Sequence, residues 1–277
     1  MPCKSVFCII GTDRCDRDIM NAINICNELN AHLSVLIVGL TPVPMGGYGA
    51  ILADAWTLER EADVAAIKAR EQRIRSLAIA CGVSTNVDIC YVAERWADEI
   101  IGERARYSDL TIVGPDLLCQ PDLRTSAIEG VLFHSGSPIL ILPADAHPTL
   151  RPRKVLFAWD ARMEAMRAAR AAIDVMAGAE EVHVTVVDTG NIADKTNPVL
   201  PASIAAFLAR HGAKVVTDRL PAWGRAATEV IRQHAVDISA DLIVMGAYGH
   251  SRLRERVFGG VTRSMIDAPP LPVFMMH

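Results

Sequence analysis

ADEIIGERARYSDLTIVG (residues 97–114) and ATEVIRQHAVDISADLIVMG (residues 227–246) are one design written twice, offset by a two-residue insertion. Each runs a helical-period stretch into a short β-branched run and stops at glycine. Two more correspondences flank the pair. SGSPILILP (135–143) matches PPLPVFMM (269–276), and SVFCIIGTD (5–13) matches KVLFAWD (154–160). Self-similarity on this scale marks a tandem duplication. The polar ADAHPTLRPR (144–153), with its two prolines, reads as the linker, which gives domains at 1–145 and 152–277.

Working outward, each half alternates apolar runs of strand length with longer stretches of helical period. The runs fall at 6–10, 33–38, 87–92, 110–113 and 139–142 in the first half. In the second they fall at 155–159, 182–187, 213–218, 242–245 and 273–276. Strands apolar on both faces and separated by helices require a parallel sheet covered on both sides. The expected fold is therefore α/β: two tandem doubly wound domains, each a mainly parallel five-stranded sheet with helices on both faces. Ligands of such sheets bind at the carboxyl ends of the strands, where the winding reverses. Asp160, Asp188 and Gly246 follow strands of the second half.

Composition excludes several classes. The 277 residues are 51% hydrophobic, which suffices for a substantial core, and the formal charge of -4 offers no field for nucleic acid or an anionic membrane. The seven cysteines form no C-x-x-C pair. They read as reduced, buried thiols, so the expected location is cytoplasmic. No run is long and uncharged enough to span a bilayer. The eight histidines lack the H-x-x-x-H and H-E-x-x-H spacings, no G-x-S-x-G or G-x-x-x-x-G-K-[ST] occurs, and Asp13, Asp16 and Asp18 read as a solvated first helical turn. Nothing identifies a general base, so no catalytic residue and no metal ligand is assigned.

One segment carries chemistry. GAYGHSRLRERVFGGVT (246–262) places Gly246 and Gly249 after an apolar run, and Gly259 and Gly260 before a helix start. Glycine lets backbone N–H groups approach a ligand, and a helix N-terminus adds unpaired donors and a dipole that favours anions. Charge agrees: residues 1–145 carry 12 Lys+Arg against 19 Asp+Glu, whereas residues 146–277 carry 16 against 13. Arg252, Arg254, Arg256 and His250 read as solvated loop residues.

The spacing G-x2-G-x9-G, here Gly246, Gly249 and Gly259, resembles that of the universal stress protein family, as does the tandem organisation of nearly the whole chain. The resemblance implies that this loop holds the ribose and phosphates of ATP or AMP, with Mg2+ accompanying the phosphates. It further implies that an acid at the end of the first strand, here Asp160, meets the nucleoside, and that backbone near Val186 meets adenine. The implied site is Asp160, Val186, Gly246, Gly249, Gly259, Gly260, Val261 and Thr262. The family places Ser or Thr where this chain has Gly260, and Thr262 is the nearest substitute hydroxyl. An ordinary helix N-cap is the rival reading of Asp160.

In the first half Gly114 matches Gly246, but Leu117 replaces the second glycine, Pro115 and Pro121 remove donors, and Thr125 and Ser126 stand for Gly259 and Gly260. That copy is read as degenerate. The function expected is a stress-response regulatory protein that binds adenine nucleotide with little or no catalysis, acting on an unknown protein partner. A scaffold of the same fold that binds no nucleotide and a slow ATP hydrolase are the alternatives. In that family last strands pair, so a pseudo-dimeric monomer or a homodimer is implied.

Overall fold

The computed structural model describes residues 3–13, 15–41, 51–146, 148–188, 200–248 and 260–277. The chain divides into two compact units, Cys3–Ser137 and Pro138–His277. The division falls ahead of the polar linker, for a reason visible in the hydrogen bonding described below.

In the unit Cys3–Ser137 the strands are β1 (Ser5–Ile10), β2 (His32–Thr41), β3 (Thr85–Ala93) and β4 (Leu110–Val113). All pair in parallel in the order β3-β2-β1-β4. The helices are α1 (Arg17–Leu29), α2 (Ile51–Ala80), α3 (Glu94–Ala105), α4 (Pro115–Leu118) and α5 (Pro121–Glu129), with a π-helical turn at Gly130–Ser135. Strands β1 and β4 are buried almost throughout, as a sheet covered on both faces demands. Helix α1 turns Ile19, Ala22, Ile23 and Cys26 inward at helical spacing and ends at Asn30 in the left-handed region (φ 50°), a common helix stop. Helix α2 buries Ile67, Ile74 and Ala78 on one stripe.

In the unit Pro138–His277 the strands are β5 (Ile139–Ile141), β6 (Lys154–Ala158), β7 (Glu181–Asp188), β8 (Val215–Pro221), β9 (Leu242–Gly246) and β10 (Val273–Met276). Their order is β5-β10-β9-β6-β7-β8. Every pairing is parallel except that of β5 with β10, which is antiparallel and in register from Ile141↔Val273 to Ile139↔Met275. The last strands of the two sequence repeats are thus hydrogen-bonded to each other. That ladder draws Ile139–Ile141 into the second unit, although the repeat pattern assigns them to the first. The helices are α6 (Met163–Ala171), α7 (Ile173–Gly178), α8 (Leu200–Arg210), α9 (Ala227–Asp237) and α10 (Gly260–Asp267). All ten strands expected from the sequence are present.

The thiols are all free, but only Cys8 and Cys26 are buried; Cys15 and Cys119 are exposed and the other three half-buried. The expectation of buried cysteines therefore holds for two of the seven, the pair that lies on core-facing positions of β1 and α1.

Candidate functional site

Strand β6 lies between β7 and β9, with Ala158 opposite both Thr185 and Met245. The winding reverses at the β6/β9 junction, the place where sheets of this kind form a ligand crevice at the carboxyl ends of their strands. One residue past Thr185 is Val186, and one past Met245 is Gly246. On β6 itself the Trp159 N–H donates to the Thr185 carbonyl at 2.9 Å, and Asp160 comes next. Parallel register alone therefore brings Asp160, Val186 and Gly246 to one edge of the sheet.

Helix α10 opens at Gly260, and the Thr262 hydroxyl oxygen accepts the Tyr248 N–H at 3.1 Å. This bond ties the first turn of α10 to the chain just beyond β9, so Gly260, Val261 and Thr262 join the same end of the sheet. Thr262 is buried at 5% exposure, and its hydroxyl closes the loop. Gly249 and Gly259, like His250, Arg252, Arg254 and Arg256, lie outside the described residues.

Gly246 has a packing role independent of any ligand. A Cβ there would stand 2.5 Å from the Ala165 nitrogen and 2.7 Å from the Glu164 carbonyl carbon, because the backbone of α6 crosses directly over the strand end. Gly260 differs: a Cβ there would meet none of the described residues within 4 Å. Asp160 is not the cap of α6, because Arg162 occupies that position. Its carboxylate instead accepts the Arg162 N–H at 3.1 Å and lies 3.8 Å from the Arg162 guanidinium. Partial desolvation lifts the Asp160 carboxyl above the ordinary carboxylate value, with Arg162 pulling it back down. Ala161 (φ 63°) and Tyr248 (φ 54°) both adopt the left-handed region, one on each side of the crevice. Non-glycine residues pay about 1 kcal/mol or more for that conformation, and such strain gathers where function fixes the backbone. The indole N–H of Trp159, beside Asp160, is buried and has no hydrogen-bond partner among the described residues.

The equivalent crevice of the first unit is filled by the chain's own side chains. Asp18, on α1 and 1% exposed, accepts the Asp116 N–H at 3.0 Å and the Leu117 N–H at 2.9 Å, the free donors at the start of α4. Its carboxylate stands where a Cβ on Gly114 would project, 2.2 Å from that point. Gln120 closes the other side, packed on Gly11 and donating to Asp13 at 2.6 Å. Burial pushes the Asp18 carboxyl up to about 6, although the two N–H groups oppose the shift. The expectation that Asp13, Asp16 and Asp18 form a solvated helical turn is thus corrected. Asp18 is an internal anion, and Asp16 is clamped by Arg70 and Arg73. Pro115 and Pro121 each open a helix, where a missing N–H costs little. Thr125 sits within α5 with its hydroxyl donating back to the Pro121 carbonyl, so Thr125 and Ser126 do not stand at a helix start as Gly260 does.

A cleft of about 490 Å³ opens elsewhere in the first unit, lined by Asn86, Asp88, Arg104 and Arg106. It mixes both charge signs and lies away from the strand ends that carry the glycines.

The pattern of the Universal stress protein family matches residues 152–277. The second half of the chain is a universal stress protein domain. The fold of the whole chain is also that of known tandem structures. A universal stress protein from Archaeoglobus fulgidus DSM 4304 is similar at a TM-score of 0.67 and 21% identity, over 98% of this chain and 97% of that one. A functionally unknown protein from Pseudomonas aeruginosa PAO1 is similar at 0.60 and 17%, over 99% and 92%. Comparison with curated proteins finds no match. At these identities the solved structures establish the shared fold alone. No described helix is long and apolar enough to cross a membrane.

Proposed function

We propose that this universal stress protein binds one adenine nucleotide, ATP or AMP, in the crevice of its second half and acts through that binding rather than through catalysis. The observation that carries the reading is the contrast between the two crevices. In the first, Asp18 consumes the backbone donors of a helix start. In the second, Gly260 is the first described residue of α10, and among the described residues nothing lies within 4 Å of where its Cβ would be. A helix N-terminus with free donors favours an anion. Asp160 and the Val186 backbone, at the ends of adjacent strands, would face the ribose and the base. Trp159 supports the reading with a buried indole donor that lacks a partner among the described residues. If Mg2+ accompanies the phosphates, Asp160 is the described acid at this edge that would help to hold it. The ion would neutralise phosphate charge.

The experiment is acid extraction of the purified protein for adenine nucleotide, followed by calorimetric titration of ATP and AMP into wild type and Asp160→Asn. Saturable binding of one equivalent, weakened about tenfold or more in the variant, supports the proposal; a hydrogen bond to a charged group is worth about 1.5–3 kcal/mol. No extracted nucleotide and no heat would leave the scaffold reading. Release of inorganic phosphate that depends on Asp160 would instead make the chain a hydrolase.

A further inference from the structure

The second unit holds a cluster of metal-ligating side chains that lies apart from the crevice. His183 on β7 is opposite Val216 of β8, and Asp218 is two residues along the same strand, so both project from one face of the sheet. Helix α9 covers that face and contributes His234. The Asp218 carboxylate oxygen Oδ2 lies 2.7 Å from His183 Nδ1 and 2.8 Å from His234 Nε2. The two rings meet edge to face, with centroids 6.0 Å apart. All three side chains are largely enclosed, at 10%, 19% and 13% exposure for His183, Asp218 and His234. One donor atom from each falls within 4.8 Å of the others.

The far nitrogen of His183 shows what the cluster lacks. Nε2 is buried without a hydrogen bond, yet it lies 3.2 Å from Glu181 Oε2. Nε2 therefore lies beside the Glu181 carboxylate but out of line for a hydrogen bond. With Nδ1 bound to a metal, the ring proton of a neutral imidazole sits on Nε2, and a small turn of the Glu181 carboxylate brings it into line as the acceptor. The result is the carboxylate–histidine–metal chain that orients ligands in metal sites. At His234 the ring proton likewise leaves Nε2 for Nδ1, so two neutral imidazoles release no net proton. Lys154, 3.6 Å from Glu181 Oε2, is the other charge facing this carboxylate.

We propose that His183, Asp218 and His234 bind one divalent transition-metal ion, with Glu181 as the outer carboxylate. Two imidazoles and one carboxylate suit zinc, and a water completes a tetrahedron. Ligand atoms around zinc stand about 3.4 Å apart, so the two hydrogen-bonded pairs open by roughly 0.7 Å on binding.

The test titrates Zn2+ by calorimetry and Co2+ by visible absorption into the full-length protein. Asp218→Asn, His234→Gln and Glu181→Gln are compared with wild type, with folding checked by circular dichroism. The seven free cysteines are separated by spectrum, because thiolate ligation adds a near-ultraviolet charge-transfer band that a His–His–Asp site lacks. Expected is one equivalent bound, with a cobalt spectrum free of that band. Affinity falls about 10- to 100-fold in Glu181→Gln, which removes no direct ligand, and further in the other two. The proposal is overturned by the absence of saturable binding, by a cobalt spectrum dominated by thiolate, or by folded variants that bind as wild type does.

Discussion

The buried Asp18 carboxylate makes a prediction whose sign runs against ordinary acid denaturation. Its carboxyl is raised from 3.8 to about 6 in the fold, with burial as the leading cause. Between those two values the folded state binds more protons than the unfolded chain, so stability falls as pH rises through this window. The span of about 2.2 units, at 1.36 kcal/mol each, corresponds to about 3 kcal/mol, fully present only well below pH 3.8 and lost above pH 6. Asp18→Asn removes the titration while keeping one carbonyl acceptor for the two N–H groups. Wild type should therefore exceed Asp18→Asn in stability at pH 4, and that advantage should shrink by about 2.4 kcal/mol by pH 7.5. Urea unfolding measures it, with Trp159→Phe and Trp223→Phe in both proteins so that only Trp56 and Trp96 of the first half report. Taking the difference between the two proteins cancels the titrating groups that do not interact with Asp18, leaving only the coupled Asp13 and Asp116. A difference that stays constant across pH 4 to 7.5 would refute the argument that Asp18 is the desolvated anion of this unit.

Three further outcomes test the packing. Gly246→Ala drives a methyl group into the backbone of α6 and should cost about 1–3 kcal/mol in urea unfolding, whereas Gly260→Ala, which meets none of the described residues, should change stability by about 0.5 kcal/mol or less. Thr262→Val takes from the Tyr248 N–H its hydroxyl acceptor and should lower stability by about 1–3 kcal/mol, read by thermal denaturation without ligand. Arg70→Met leaves the enclosed Asp16 with Arg73 alone and strips a donor from the Cys15 carbonyl. A loss of about 1.5–3 kcal/mol is expected in the first unit by the same fluorescence measurement.

The strands and their order of use were legible because burial on both faces writes itself as continuous apolar runs, and because duplication lets each half check the other. The crevice was legible for a related reason: Asp160, Val186 and Gly246 all follow runs whose strand character is plain, and parallel register does the rest. Asp18 was not legible. Its partners are Asp116 and Leu117, 98 and 99 residues away, and an acid near a helix start looks the same whether it faces water or fills a neighbouring helix N-terminus. The His183–Asp218–His234 cluster was equally hidden, since its members are separated by 35 and 16 residues and no local spacing joins a strand pair to the helix above it. The second role of Gly246 was also invisible, because a sequence does not show that helix α6 crosses the end of β9.

The antiparallel ladder between β5 and β10 bears on whether the duplication could be undone. Truncation at the polar linker would strip Ile139–Ile141 from β10 and leave a wholly apolar strand paired only with β9, its other edge bare. Open edges of that kind recruit other chains. A truncated form beginning near Pro138 would carry its own edge guard, whereas one beginning at Arg153 would have to find a substitute in another molecule. A cut at the linker therefore separates β5 from β10, and a single short strand is enough to make the doubling hard to reverse.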